Sequence, residues 1–63
     1  MVFDNIKALC KERHISIHAL EQQCGLGNAT VSGWKDRDPR ATNLKRVADF
    51  FGVTMEYLLE GEK

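Results

Sequence analysis

Cysteine and histidine side chains cluster in the first half of the chain, where together they could bind a metal ion. Cys10 and His14 are four residues apart and share a helical face, and His18 and Cys24 follow. Thiolate and imidazole groups are common ligands of tetrahedral zinc. The two histidines, however, lie on either side of an expected helix boundary, and no closely spaced cysteine pair is present. We therefore expect no metal site, no cofactor and, in a reducing compartment, no disulfide.

The same residues offer little support for catalysis. A nucleophile needs a neighbouring base and a group that orients the base, and neither histidine has an adjacent serine or cysteine that we expect to be exposed. A helical domain of 63 residues also has little room for a ligand pocket. We expect neither enzyme activity nor a small-molecule substrate.

Small, neutral residues in the middle of the chain suit contact with the edges of DNA bases. An asparagine amide both donates and accepts, as adenine requires, and an alanine methyl can contact a thymine methyl. A serine can bond several bases, and a glycine permits close approach. Strong guanine contacts are not expected, because this stretch has no arginine or lysine before Lys35. We predict four base-reading residues: Asn28, Ala29, Ser32 and Gly33.

Two short helices joined by a tight turn would have to position these residues. One apolar stripe precedes Gly25 and a second follows it. The helical spacing of the apolar residues is interrupted at that glycine, so no single helix could carry both stripes on one face. Helices commonly end at a glycine in the left-handed conformation, because a side chain there would be strained. Two stripes packed across such a corner are typical of a helix-turn-helix, whose second helix enters the DNA major groove. We expect Trp34, which follows Val31 at helical spacing, to be buried.

A helical period continues through nearly the whole chain and predicts a compact, all-α domain over residues 1–63. No segment alternates as a β-strand would. On the fourth helix we expect Leu44, Val47, Ala48 and Phe51 to face inward. Of the adjacent Phe50 and Phe51, only one can lie in the core. The five predicted helices run from about Val2 to Arg13, from Ser16 to Cys24, from near Gly27 to Lys35, from a Thr42 cap to Gly52, and from a Thr54 cap to Leu59.

Composition argues against a membrane protein. Hydrophobic residues make up 43% of the chain and charged residues 29%. No apolar run approaches the roughly 20 residues that span a bilayer. The residues from Met1 to Asp4 lack the basic and apolar regions of a secretory signal. We therefore expect a cytoplasmic protein.

The charges sum to zero at pH 7, which argues against DNA binding because phosphate neutralisation supplies much of the affinity. The distribution is uneven, however. Residues 35–46 hold five cations and two acids, whereas residues 49–63 hold four acids and one lysine. A DNA-binding domain needs cations beside the DNA groove rather than over its whole surface. Lys45 and Arg46 are explained more simply as part of a solvated helix face. We predict six phosphate contacts: Ser16, Gly27, Lys35, Arg37, Arg40 and Asn43, the last at a helix N-terminus.

The order and spacing of these motifs resemble the phage Cro/repressor type of helix-turn-helix domain, also called the xenobiotic-response-element family. The resemblance extends from Ile6 to Gly61. It depends on Ile15-Ser16, Leu20, Cys24-Gly25-Leu26, Thr30 to Lys35, Pro39, and Leu44 to Gly61, a run similar to members from phages and low-GC Gram-positive bacteria. It implies a lambda-repressor-like fold, with the helix-turn-helix at helices two and three.

Three residues depart from the pattern of that family. Ile17 occupies a position where glutamine often holds a phosphate and braces the recognition helix. Glu21 stands where alanine is common, because two helices cross closely there, and we expect its stem to bend outward. Gly27 replaces the usual Ser or Thr cap, although glycine is tolerated at that position.

The sequence therefore predicts a sequence-specific regulator of transcription, with a double-stranded DNA operator as its partner. Low affinity for each half-site favours two copies on one operator, as in small Cro-type proteins. The last helix has too many apolar groups for one narrow face, so we predict a weak dimer contact at Met55, Tyr57 and Leu58. The alternative is a protein-interaction module, similar to an antitoxin or to a domain that binds an anti-repressor, which keeps the fold but reads no DNA.

Overall fold

The computed structural model describes residues 2–61, which form four α-helices and one short 3₁₀ helix. No β-strand occurs between residues 2 and 61, so the predicted all-α class is confirmed over that range. Met1, Glu62 and Lys63, which belong to the predicted domain, lie outside the described residues. The elements are α1 (Val2–Arg13), α2 (Ile17–Gln23), the 3₁₀ helix (Ser32–Lys35), α3 (Ala41–Phe51) and α4 (Met55–Glu60).

Side-chain caps fix the starts of two helices, as the sequence predicted. The Ser16 hydroxyl accepts a hydrogen bond from the Ala19 amide at 3.0 Å, and the Thr54 hydroxyl accepts one from the Tyr57 amide at 3.0 Å. Each bond satisfies an amide that has no partner within its own helix. Gly52 ends α3 with a φ of 72°, a left-handed conformation that glycine adopts without strain.

The predicted apolar faces meet in one core. Trp34 is buried. The four residues that we expected to face inward from the fourth predicted helix, which is α3 here, are buried too: Leu44, Val47, Ala48 and Phe51. Phe51 is buried, whereas its neighbour Phe50 is half-buried, because adjacent residues on a helix point in different directions and only one of them can face the core. Among residues 2–61, the largest fully buried side chains come from the four α-helices and from the loop between α2 and the 3₁₀ helix: Ile6, Leu20, Val31, Val47 and Leu58.

Side chains of α1 tie the two C-terminal helices to the core. The Arg13 guanidinium donates a hydrogen bond to the Phe51 carbonyl at 2.9 Å and lies 5.3 Å from the centre of the Phe51 ring. The Asn5 amide donates to the Leu58 carbonyl at 2.8 Å. Both bonds satisfy carbonyls near helix C-termini, where no partner remains within the helix. They position α3 and α4 against α1.

The prediction of a third helix that starts near Gly27 is wrong over its first half, and the count of five helices is not confirmed. Residues 28–31 form turns, and only Ser32–Lys35 is helical, as a 3₁₀ helix. Ala29 has a φ of 63°, which an α-helix cannot accommodate. Gly27 also has no side chain with which to cap a helix at this point.

The predicted cap at Thr42 is also wrong. α3 begins at Ala41, so Thr42 lies within its first turn. Arg40 holds the cap position with an extended backbone and no side-chain hydrogen bond to the helix. The first turn of α3 therefore has no side-chain cap.

Candidate nucleic-acid interface

Residues 28–35, called here the turn segment, present a polar face and an apolar face. Asn28, Ala29 and Ser32 are exposed, whereas Val31 and Trp34 are buried. The turn segment thus exposes three of the four predicted base-reading residues on one short stretch, although it is not an α-helix. Whether they contact bases remains a prediction.

A buried carboxylate holds the turn segment in place. Glu21 is only 3% exposed, so the expectation that its stem bends outward is wrong. Its Oε1 accepts a hydrogen bond from the Ala29 amide at 3.2 Å, and its Oε2 accepts one from the Val31 amide at 2.9 Å. The carboxylate, which belongs to α2, therefore caps the turn segment and supplies the side-chain acceptor that Gly27 lacks.

Gly33 is half-buried, and the space above it is occupied. A β-carbon at this position would meet the guanidinium of Arg37, with the Cζ atom at 3.2 Å and Nε at 3.5 Å. Gly33 therefore allows close approach by Arg37 of the same chain. A base would reach the Gly33 backbone only if that side chain moved.

Three of the predicted phosphate-contacting residues line one surface cleft. These are Arg37, Arg40 and Asn43, and the cleft is also lined by Thr30, Trp34 and Asp38. The first amides of α3 lie at this end of the helix, where they have no partners within the helix. A cleft lined by two arginines at an uncapped helix N-terminus makes a favourable environment for a phosphate, which Asp38 partly offsets.

The other three predicted phosphate contacts lie outside this cleft. Ser16 is exposed, and its hydroxyl oxygen accepts the bond that caps α2, which leaves the O–H group able to donate to a phosphate. Gly27 is exposed at the start of the turns, where its carbonyl accepts from the Thr30 amide at 3.2 Å. The Lys35 ammonium lies 5.0 Å from the centre of the Phe3 ring, which directs it toward α1.

The simpler explanation of Lys45 fits its surroundings. Its ammonium pairs with the Asp49 carboxylate at 3.4 Å, one helical turn away, and both side chains are about two-thirds exposed. A pair of this kind contributes little to stability because water screens it. Lys45 therefore belongs to a solvated helix face.

The cysteines sit in environments that disfavour the thiolate. Burial, together with the nearby Cys24, raises the pKa of the Cys10 thiol. Burial also raises the pKa of Cys24, although the Arg46 guanidinium opposes that effect. Within residues 2–61, no group of three or more histidine, cysteine or acidic side chains is placed to hold a metal ion.

The last helix requires a correction to the predicted dimer contact. Leu58 is 0% exposed and belongs to the core, so its side chain is not available to a second copy. Met55 and Tyr57 are half-buried. Sequence reasoning did not select Leu59, which is 49% exposed and lies beside Met55 in a shallow apolar groove with Ala48 and Val53. The excess of apolar residues in this helix was the available signal, but it did not identify which residue is exposed.

No helix within residues 2–61 has the length and apolar character needed to cross a membrane. A family model described as the Cro/C1-type HTH DNA-binding domain matches residues 5–63. Comparisons with curated proteins and with solved structures found no match. The family match spans almost the entire chain, so this protein belongs to the Cro/C1-type helix-turn-helix family of DNA-binding domains.

Proposed function

We propose that this protein is a sequence-specific regulator of transcription, of the phage-repressor type, that occupies a double-stranded DNA operator. The observation that carries the proposal is the turn segment, where Asn28, Ala29 and Ser32 are exposed and Glu21 fixes the backbone. Fixed backbone with exposed small and amide side chains suits contact with base edges in the major groove. Membership of a family of DNA-binding domains supports the same function.

The cleft at the start of α3 supplies the phosphate contacts in this proposal. Arg37 and Arg40 neutralise phosphates, and the amides near Asn43 add the attraction of a helix N-terminus. Such contacts fix the register of the protein on the duplex without reading sequence. Their place directly after the turn segment explains how a chain of zero net charge can bind DNA.

Two copies bind one operator through α4. Leu59 and Met55, with Ala48 and Val53, give each copy an apolar groove at α4. So short a helix buries too little area for a strong dimer, so the contact forms on DNA. A symmetric pair places two turn segments in successive major grooves, with half-sites centred about 10 bp apart.

Selection of bound sequences from random duplex DNA at low salt tests the function. The expected result is one enriched motif with two related half-sites, and a duplex of mixed sequence serves as the control. Failure to enrich any motif would contradict the proposal. It would favour the alternative of a protein-interaction module, for which the zero net charge is the supporting observation.

A further inference from the structure

We propose that Glu21 is a positioning residue for DNA reading, because its carboxylate sets the backbone from which Asn28 and Ser32 project. The inference rests on the proposed function and goes beyond it, because it assigns specificity to a residue that is buried and does not touch DNA. Glu21 lies on α2 and is 3% exposed.

The two hydrogen bonds of Glu21 form a clamp. Each carboxylate oxygen accepts from a different amide, Oε1 from Ala29 and Oε2 from Val31. Charged acceptors make stronger hydrogen bonds than neutral ones, and the low exposure limits competition from water. Two bonds to amides two residues apart fix both the position and the tilt of this short stretch of backbone.

The clamped amides flank the predicted base-reading side chains. The Ala29 amide belongs to the peptide unit that follows Asn28, and Val31 directly precedes Ser32. A shift of either peptide unit therefore moves the neighbouring side chain relative to α2. Small displacements matter here, because hydrogen bonds to base edges weaken steeply when their geometry is lost.

Local preferences alone would not hold this conformation. Ala29 has a φ of 63°, a left-handed conformation that costs free energy for any residue with a β-carbon. The Ala29 and Val31 amides would also be left unpaired without the carboxylate. Without the clamp, we expect Ala29 to move to a right-handed conformation and carry Asn28 with it.

Glu21→Gln tests the inference with little change in shape. A glutamine has one acceptor oxygen, and its NH₂ group would face the second amide, so at most one bond of the clamp survives. Gln22→Ala, at the next and exposed position of α2, is the matched control. Ile6→Val, in the core of α1, is a second control for a general loss of stability.

Two measurements distinguish positioning from simple stabilisation. The first is amide hydrogen exchange, in which Ala29 and Val31 should exchange at least about tenfold faster in Glu21→Gln than in Ile6→Val at matched global stability. The second is the ratio of affinities for the selected operator and a scrambled duplex. That ratio should fall at least about tenfold in Glu21→Gln and less than about twofold in both controls.

Three results would overturn the inference, and each has a distinct cause. Unchanged exchange at Ala29 and Val31 would show that the carboxylate does not hold the turn segment. Faster exchange with an unchanged affinity ratio would show that the segment's conformation does not govern reading. If the native protein selects no operator, the proposed function fails. The role of Glu21 in DNA reading then fails with it, whatever amide hydrogen exchange shows at Ala29 and Val31.

Discussion

The Arg37 guanidinium lies against the backbone of Gly33, in the space that a β-carbon at residue 33 would occupy. Arg37 also lines the cleft at the start of α3. The glycine therefore determines where this cation can lie. Because the guanidinium ends a flexible side chain, a larger residue at position 33 would displace it without unfolding the domain.

Gly33→Ala should weaken DNA binding through this displacement while the melting temperature stays close to that of the native protein. A double-mutant cycle with Arg37→Ala separates the displacement from a direct clash between the new methyl group and DNA. In the Arg37→Ala background, Gly33→Ala should cause little further loss of affinity for DNA. The cycle should therefore give a coupling energy of at least about 0.5 kcal/mol. Strictly additive effects on the dissociation constant would mean that the two residues act independently.

Ala29→Gly should stabilise the domain by about 1 kcal/mol, because glycine adopts the left-handed conformation of residue 29 without steric cost. Urea unfolding measures the change. Ala8→Gly, at an exposed position within α1, is the matched control and should destabilise by about 0.5–1 kcal/mol. Destabilisation by both substitutions would show that Ala29 is not left-handed in solution.

Combining Arg37→Ala with Arg40→Ala should weaken binding to all duplexes alike. Each lost phosphate contact reduces the slope of log affinity against log salt by about 0.9, so the double variant should lose about two units of slope. Lys11→Ala removes one equal charge from an exposed position of α1, away from the cleft and from the α4 groove, and should leave the slope unchanged. A double variant with the native slope would remove the cleft from the interface.

Leu59→Glu should abolish cooperative binding to an operator with two half-sites, because it places a charge on the most exposed large apolar side chain of the described chain. Affinity for a single half-site should change little. Ala8→Glu adds the same charge at an exposed position of α1 and controls for general repulsion from DNA. Native cooperativity in Leu59→Glu, or one protein per operator at saturation, would refute the α4 contact.

Local sequence signals predicted the parts of this fold that local forces determine. Ser16 and Thr54 cap helices as their residue types indicate, and Gly52 ends α3 in the left-handed conformation. Trp34 and the inward face of α3 are buried as helical spacing requires. Together with the helical period that predicts α1, these signals predict the four α-helices, apart from the start of α3.

The turn segment could not be predicted in this way, because its conformation depends on a distant side chain. Glu21 bonds residues eight and ten positions later, a contact that helical periodicity does not reveal. The sequence gives no sign of the left-handed backbone at Ala29, because alanine is the residue that most favours a right-handed helix. Likewise, Arg37 and Arg40 were selected for their charge, whereas their shared cleft with Asn43 is a result of folding.

Reading of DNA by the turn segment is tested by the ratio of affinities for the selected operator and a scrambled duplex, measured for the native protein and for the Asn28→Ala, Ser32→Ala double variant. Both side chains are exposed, so the variant should keep its helical content and melting temperature. Gln23→Ala, on the exposed part of α2, is the control. We expect the ratio to fall at least about tenfold in the double variant, since one lost base contact costs roughly 1–3 kcal/mol, while affinity for the scrambled duplex is unchanged. An unchanged ratio in a folded double variant would contradict reading by the turn segment.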